Sequence, residues 1–185
     1  MNDFSKMVEA EIPRLRRYAR SLTRNAHTAD DLVQDCLVRA LSKQHLWAEG
    51  TELRAWLLTI MHNQHINFWR RAVRQGYEVA VSDTEPSFTR AANQDHRLEL
   101  RDLDRALALL PEKQRSVILL IGLEGMAYEA VAQVVGVPVG TVRSRLSRGR
   151  EVSRELMAGM VPDRRADARM ARSPTKPTSS TAVAA

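Results

Sequence analysis

The sequence predicts an all-α fold: two small helical domains joined by a flexible linker, with a helix-turn-helix closing the second. Three observations predict it. Apolar residues recur at helical spacing through most of the chain before residue 160, and no alternating strand pattern interrupts them. A polar stretch without such a stripe separates an earlier set of helices from a later one. The block from Met126 to Glu155 then reads as two short helices around a glycine turn, the second carrying a row of arginines.

Along the first domain, expected over residues 5–74, Ile12, Leu15, Ala19 and Leu22 make one stripe, with Tyr18 beside it. Thr28 and Asp31 fit a capping box for the second helix, and Asp30 and Asp31 suit a helix N-terminus. That helix carries Leu32, Cys36, Leu37, Ala40 and Leu41. Residues 44–50 break the pattern and hold Trp47. Thr51 and Arg54 open a third helix through Leu53, Trp56, Leu57 and Ile60, ending on Arg70, Arg71 and Arg74.

Residues 75–97, rich in Ser, Thr, Asp and Glu and containing Pro86, read as linker, so the two domains are expected to tumble partly independently. In the second domain, expected over 98–159, Leu100, Leu103, Leu107 and Leu110 form a stripe. Pro111 starts a helix with Val117, Leu120 and Ile121, which Gly125 ends. Tyr128, Val131, Ala132 and Val135 then face a neighbour, Gly136 suits a left-handed turn, and Pro138 fits the first turn of the last helix. The tail, residues 160–185, lacks large apolar side chains beyond its methionines and is expected to be disordered.

In the last helix Val139, Val142 and Leu146 fall on one side. Thr141, Ser144, Ser147 and Arg148 fall opposite, flanked by Arg143, Arg145 and Arg150. An apolar back and a front of small polar groups and arginines suit the DNA major groove. A charge run alone is more often a solvated face, but the turn unit beneath this one favours DNA.

Composition agrees. The 185 residues carry a formal net charge of +6 and a pI near 10.1, which favours a polyanionic partner. The charge is uneven: residues 28–35 hold Asp30, Asp31 and Asp35 with no base. The single cysteine, Cys36, excludes an internal disulfide and fits a buried small hydrophobe in a reducing, cytoplasmic setting. No run approaches membrane-spanning length. His62 and His65 lack a third ligand, and no His-Glu-x-x-His, Gly-rich phosphate loop or nucleophile elbow occurs. No enzyme activity, metal, cofactor, small-molecule substrate or membrane insertion is expected.

Three blocks carry a family resemblance. They are Ala29-Asp30-Asp31-Leu32-Val33-Gln34-Asp35, Leu53-Arg54-Ala55-Trp56-Leu57-Leu58-Thr59-Ile60-Met61-His62-Asn63, and Leu110-Pro111-Glu112-Lys113-Gln114-Arg115 with residues 140–148. In this order they resemble the bacterial RNA polymerase sigma factors of the two-domain extracytoplasmic-function type, over residues 10–158. The resemblance implies that the first block docks on the polymerase clamp helices, the second opens and reads the promoter −10 element, and the third reads the −35 element. Ala130 stands where the family commonly has an acid, Asn67 where an aspartate is frequent, and Gly149 where alanine is common. Gly149 is expected to let the last helix fray after Arg148, at about 1 kcal/mol.

The residues fit these implied roles. Gln34 and Asp35, with Asp31, would offer polymerase an exposed polar patch; the helix dipole accounts for Asp30 and Asp31 but not for Asp35, beyond the first turn. Trp56, Ile60, Asn63 and Asn67 align at i, i+4, i+7 and i+11, and the two amides can bond base edges. Trp56 fits a core position better than a base contact, and Trp47 fits a loop anchor and a wall for a flipped base equally well. Arg70, Arg71 and Arg74 would meet phosphates, and Arg143, Arg145 and Arg150 would flank the −35 face. The resemblance further implies core polymerase, promoter DNA and an anti-sigma factor as partners, in a stress or envelope response. A sigma-like decoy that only sequesters an anti-sigma factor should have lost the recognition-helix arginines. A plain helix-turn-helix repressor leaves the first domain unexplained.

Overall fold

The computed structural model describes residues 3–75 and 94–160. The segment 76–93 and the tail beyond 160 lie outside the described residues, and with them most of the expected linker and the expected disorder. Among the described residues the fold is entirely helical. Its elements are α1 (Asp3–Thr23), α2 (Ala26–Ser42), a single 3-10 turn (Gln44–Leu46), α3 (Leu53–Arg74), α4 (Gln94–Leu109), α5 (Glu112–Gly122), α6 (Tyr128–Val135) and α7 (Val139–Met160).

In the first unit α2 packs against both α1 and α3. Leu15, Tyr18, Ala19 and Leu22 of α1 meet Ala29, Leu32, Val33, Cys36 and Ala40 of α2 and Leu57, Leu58 and Met61 of α3 in one core. Cys36 is buried there as expected. Its thiol donates to the Leu57 carbonyl at 3.4 Å, and burial pushes its pKa up to about 12, so it behaves as a small hydrophobe. The α1–α2 corner turns on Arg24, whose φ of 57° is left-handed. The cap of α2 is Asn25, not Thr28: its side chain accepts from the Thr28 backbone N–H at 2.9 Å. The helix therefore begins two residues before Thr28, and Asp30 and Asp31 lie past its first turn, where they lend the dipole little.

The second unit places α7 against α4, α5 and α6. Gly136 has φ 65° and ψ 39°, the left-handed conformation a side chain would resist, and Val137 N–H closes back on the Ala132 carbonyl at 3.1 Å. Both helix-opening prolines sit one step earlier than expected: Pro111 and Pro138 precede their helices, and their carbonyls accept the first helical N–H groups. The start of α4 lies at Gln94, four residues before the expected start of this domain. No fraying follows Arg148, because α7 continues to Met160. Gly149 is buried against α5, where an added Cβ would stand 2.7 Å from Ile118 Cδ1. The glycine permits close approach of two helices, and packing there outweighs its weak helix propensity.

The two units are not separate bodies. Their cores merge into one cluster, with α3 packed on α6 and α1 on α5. Independent tumbling does not describe this arrangement. Nothing in the sequence signalled it. Apolar spacing within each helix does not say which unit a stripe packs on, and the charged contacts at the seam, such as Arg24 with Asp104, join residues far apart in the chain.

Candidate nucleic-acid interface

The clearest surface belongs to α7. Val142 and Leu146 are buried together with Gly149 and Ser153, so one face of the helix is fixed against its own domain. Ser144, Ser147 and Arg148 are exposed on the other side, with Thr141 half-buried at its edge. The Ser144 hydroxyl donates to the Thr141 carbonyl at 3.0 Å, which leaves its lone pairs free to accept. Arg143 and Arg150 are exposed on one flank and Arg145 is half-buried on the other. The Arg143 guanidinium lies 5.8 Å from the centre of the Tyr128 ring, which holds it at the junction of α6 and α7. All seven residues expected of the −35 surface thus share one helix, six of them on or beside its solvent face and Arg145 turned towards α3.

The same helical logic places the second set on α3, but with less free surface. Leu57, Leu58 and Met61 face the first unit's core, while His62 and His65 face the second unit. Asn63 and Asn67 remain exposed one turn apart, with Phe68, Arg70 and Arg71 exposed beyond them. Trp47 and Trp56 do not join this strip. Both pack on Phe4 of α1, at ring-centre distances of 5.4 Å and 6.2 Å, and so tie the loop before α3 to the N-terminal helix. Phe4 carried no signal in the sequence, because its partners lie more than forty residues away.

On α2, Asp31, Gln34 and Asp35 are exposed. Asp31 pairs with His27 at 2.8 Å and Asp30 approaches Arg16 at 4.0 Å, whereas no ion pair among the described residues engages Asp35. Val38, Leu41 and Leu46 extend this patch as exposed apolar side chains.

Sequence reasoning missed the seam between the units. Arg24 meets Asp104 at 3.2 Å with both side chains only 10% exposed, and Arg17 meets Glu124 at 3.0 Å. His65 reaches Glu112 at 3.1 Å, and Arg115 holds the other carboxylate oxygen at 2.6 Å. Burial alone would raise the Glu112 pKa, but contact with His65 and the charge and hydrogen bond of Arg115 outweigh it and hold the carboxyl below its ordinary range. His62 is pushed down to about 4, first by burial; Glu112 opposes this, while His65 and Arg145 add to it. Tyr18, fully buried beside this cluster, is raised by burial and by the charges of Glu112 and Glu124, with Arg115 opposing. In the sequence the i, i+3 spacing of His62 and His65 bears only on metal binding, for which a third ligand is lacking, so it carries no sign of this seam. Among the described residues no group of three or more potential ligands could hold a metal ion. No helix among them is long and apolar enough to cross a membrane.

Comparison with known proteins places both halves. Residues 8–62 match the family described as the Sigma2 domain of PhyR, and residues 100–151 match Sigma-70, region 4. The chain is 38% identical over 145 residues to the ECF RNA polymerase sigma factor EcfG of Rhodopseudomonas palustris, covering 76% of this chain and 77% of that protein. It is 32% identical over 163 residues to the ECF sigma factor SigE of Mycolicibacterium smegmatis, covering 85% of this chain and 63% of that one. Among solved structures it is similar to the sigma factor RpoE of Bartonella quintana, in complex with the anti-sigma factor NepR. There the TM-score is 0.71 and the identity 35%, over 85% of this chain and 98% of that one.

Proposed function

The chain belongs to the extracytoplasmic-function sigma factors of bacterial RNA polymerase, and from that premise we propose how its surfaces divide the work. A sigma factor binds core polymerase, directs it to a promoter class and catalyses nothing itself. We assign −35 reading to the free face of α7, with Ser144, Ser147 and Arg148 central, Thr141 at the edge, and Arg143, Arg145 and Arg150 on phosphates at the groove walls. We assign −10 reading to the exposed strip Asn63–Asn67 on α3, with Arg70 and Arg71 on the backbone. Trp47 and Trp56, locked together through Phe4, shape the loop in front of that strip. Asp31, Gln34 and Asp35 dock on polymerase, and Asp35, which no ion pair among the described residues engages, is the residue a basic clamp would meet first. We assign domain limits of 5–74 and 98–159, the second extended back to Gln94 by α4.

The observation that carries this reading is the exposed Ser–Ser–Arg face of α7 over a buried apolar back, in a chain that also retains the acidic patch of α2. A decoy that only captures an anti-sigma factor would need neither. The similarity to a sigma factor held by NepR supports control by an anti-sigma protein, with the chain acting in the cytoplasm alongside the polymerase. Run-off transcription by purified core enzyme tests the assignment. The chain should confer initiation at a subset of genomic promoters, and Asp35→Lys should weaken core binding at least tenfold. Core that stays silent with saturating chain would sink the reading.

A further inference from the structure

The packing of α1 divides at Pro13. This residue stands inside the helix with no N–H to give the Glu9 carbonyl, so the two halves are joined more loosely than an unbroken ladder would join them. Leu15, Tyr18, Ala19 and Leu22 of the second half enter the main core. Phe4 and Val8 of the first half are buried as well, at 7% and 3% exposure, yet stand outside that cluster. They share one line with Glu11 at i, i+4 and i+7, and the Glu11 carboxylate accepts from Arg54 Nε of α3 at 3.0 Å. Phe4 also lies ahead of residues 8–62, the segment matched to the sigma domain.

What this buried face holds is the loop before α3. Of residues 44–52 only Trp47 is not exposed. The hydrogen bonds of residues 44–51 stay within the loop and its edge: Leu46 N–H to the Lys43 carbonyl, Trp47 N–H to Gln44, and Thr51 to Ala48. None of them ties the loop to the body of the protein. The tie is the Trp47 ring, tilted at 44° on Phe4 with centres 5.4 Å apart. No acceptor among the described residues meets its buried indole N–H, so Trp47 is placed by packing on Phe4, not by a polar contact. Phe4 also meets the Trp56 ring edge-on at 6.2 Å, and so joins the loop to the first turn of α3.

Trp56 opens the line that continues through Ile60 to Asn63 and Asn67. From Trp56 to Asn63 is about 10 Å along the helix axis, or about three steps of a DNA strand at roughly 3.4 Å each. The loop and the exposed amides therefore lie within one promoter element of each other. Capturing an unpaired strand must offset its unstacking, and a surface ordered in advance loses less on binding than one that orders at that moment. We propose that the first half of α1 braces promoter opening, with Phe4 as a positioning residue that seats Trp47 and so orders residues 44–52 for the unpaired −10 strand. The inference rests on the −10 reading of α3. Neither core binding by α2 nor −35 reading by α7 draws on the brace.

Two readings on the full chain test it. With Trp56→Phe and Trp69→Phe, Trp47 becomes the sole indole. In that background Phe4→Ala should raise quenching of Trp47 by acrylamide at least twofold, while the helical circular-dichroism signal stays unchanged. In the natural background, with core polymerase, Phe4→Ala should weaken binding to a labelled single-stranded −10 segment of a promoter the chain initiates at. The expected loss is at least about fivefold. Affinity for core and for a −35 duplex should stay within about twofold of wild type, a split that general unfolding would not produce. Phe4→Leu, which keeps the apolar contact, should recover most of the −10 affinity. Glu11→Gln serves if Phe4→Ala loses helical content: it weakens the tie to Arg54 and should lower −10 affinity alone, by about twofold. Unchanged −10 affinity, equal losses at both elements, or a Trp47 no more open to quencher would each overturn the brace. Quenching reports how Trp47 is seated whatever the chain binds. A wild-type chain that holds a scrambled strand as well as the −10 segment refutes the −10 reading of α3, and the brace with it.

Discussion

The two helices that meet DNA in this reading, α3 and α7, are each 22 residues long, yet the structure uses them differently. One face of α7 packs on its own unit, and the opposite face is left to solvent from Gly140 to Glu155. By contrast, α3 is buried on two sides: Leu57, Leu58 and Met61 face its own core, and His62 and His65 face the second unit. Only the Asn63–Asn67 strip and the helix end remain. A helix buried on one face can be altered on the other at little cost to stability, so α7 is free to specialise in base reading. Changes to α3 touch fold, docking and promoter opening together.

The largest expected effect tests that difference on its buried side. Leu57→Ala, at a fully buried position, should cost about 2–5 kcal/mol, a fall in melting temperature of roughly 10 °C for a chain of this size. Asn63→Ala, on the exposed strip of the same helix, should lie within about 0.5 kcal/mol of wild type. Thermal melts followed by circular dichroism compare them. Similar losses at the two positions would mean that α3 has no free face.

Acidification probes the docked side. In the folded chain the pKa of His62, about 4, lies below the ordinary value of 6.5. Folding therefore favours the neutral ring: its contribution is present above pH 6.5 and is lost as pH falls towards 4. Glu112, depressed by its contacts with His65 and Arg115, loses its contribution in the same direction as it protonates. Between pH 7 and pH 5 the His62 term should remove about 2 kcal/mol of stability. His62→Gln, which cannot titrate, should flatten the profile in denaturant unfolding. A slope as steep in the variant would clear His62 of responsibility.

The same contrast explains what the sequence disclosed. The buried face of α7 repeats at 3.6 residues and has a polar opposite, so Val142, Leu146 and the arginine row could be read from spacing alone. For α3 the spacing showed Trp56, Ile60, Asn63 and Asn67 as one line but gave no reason to expect His65 to be buried. Its partner Glu112 lies 47 positions along the chain, and periodicity carries no information at that range. The cap of α2 was misplaced for a related reason. Asn25 and Thr28 are both good caps, and only the turn at Arg24 decides between them.

On the exposed side of α7, Arg148→Ala should cost about 1–3 kcal/mol and relax base preference at one −35 position. Arg150→Ala, on the flank, should weaken binding to all duplexes alike and lower the salt-dependence slope by about one unit. Affinities for a −35 duplex and its single-base variants across a salt series separate the two. An even loss on every duplex for Arg148→Ala would move that residue from base to backbone.

The smallest effect concerns the buried side of α7, where Gly149 faces Ile118. Alanine gains about 1 kcal/mol in helix propensity over glycine. Its Cβ, however, would stand 2.7 Å from Ile118 Cδ1 and 3.3 Å from Gln114 Cβ, so α5 and α7 must separate or Ile118 must leave its rotamer. The two terms are of similar size, and Gly149→Ala alone should change stability by less than about 1 kcal/mol. Ile118→Val removes the atom in sharpest conflict and leaves the milder approach to Gln114 Cβ. In that background Gly149→Ala should become stabilising, with a coupling of about 0.5–1 kcal/mol between the two sites. Denaturant unfolding of the four chains of this cycle measures the coupling. Simple additivity would show that the helices already have room there, and that the glycine answers to something other than the packing of α7 on α5.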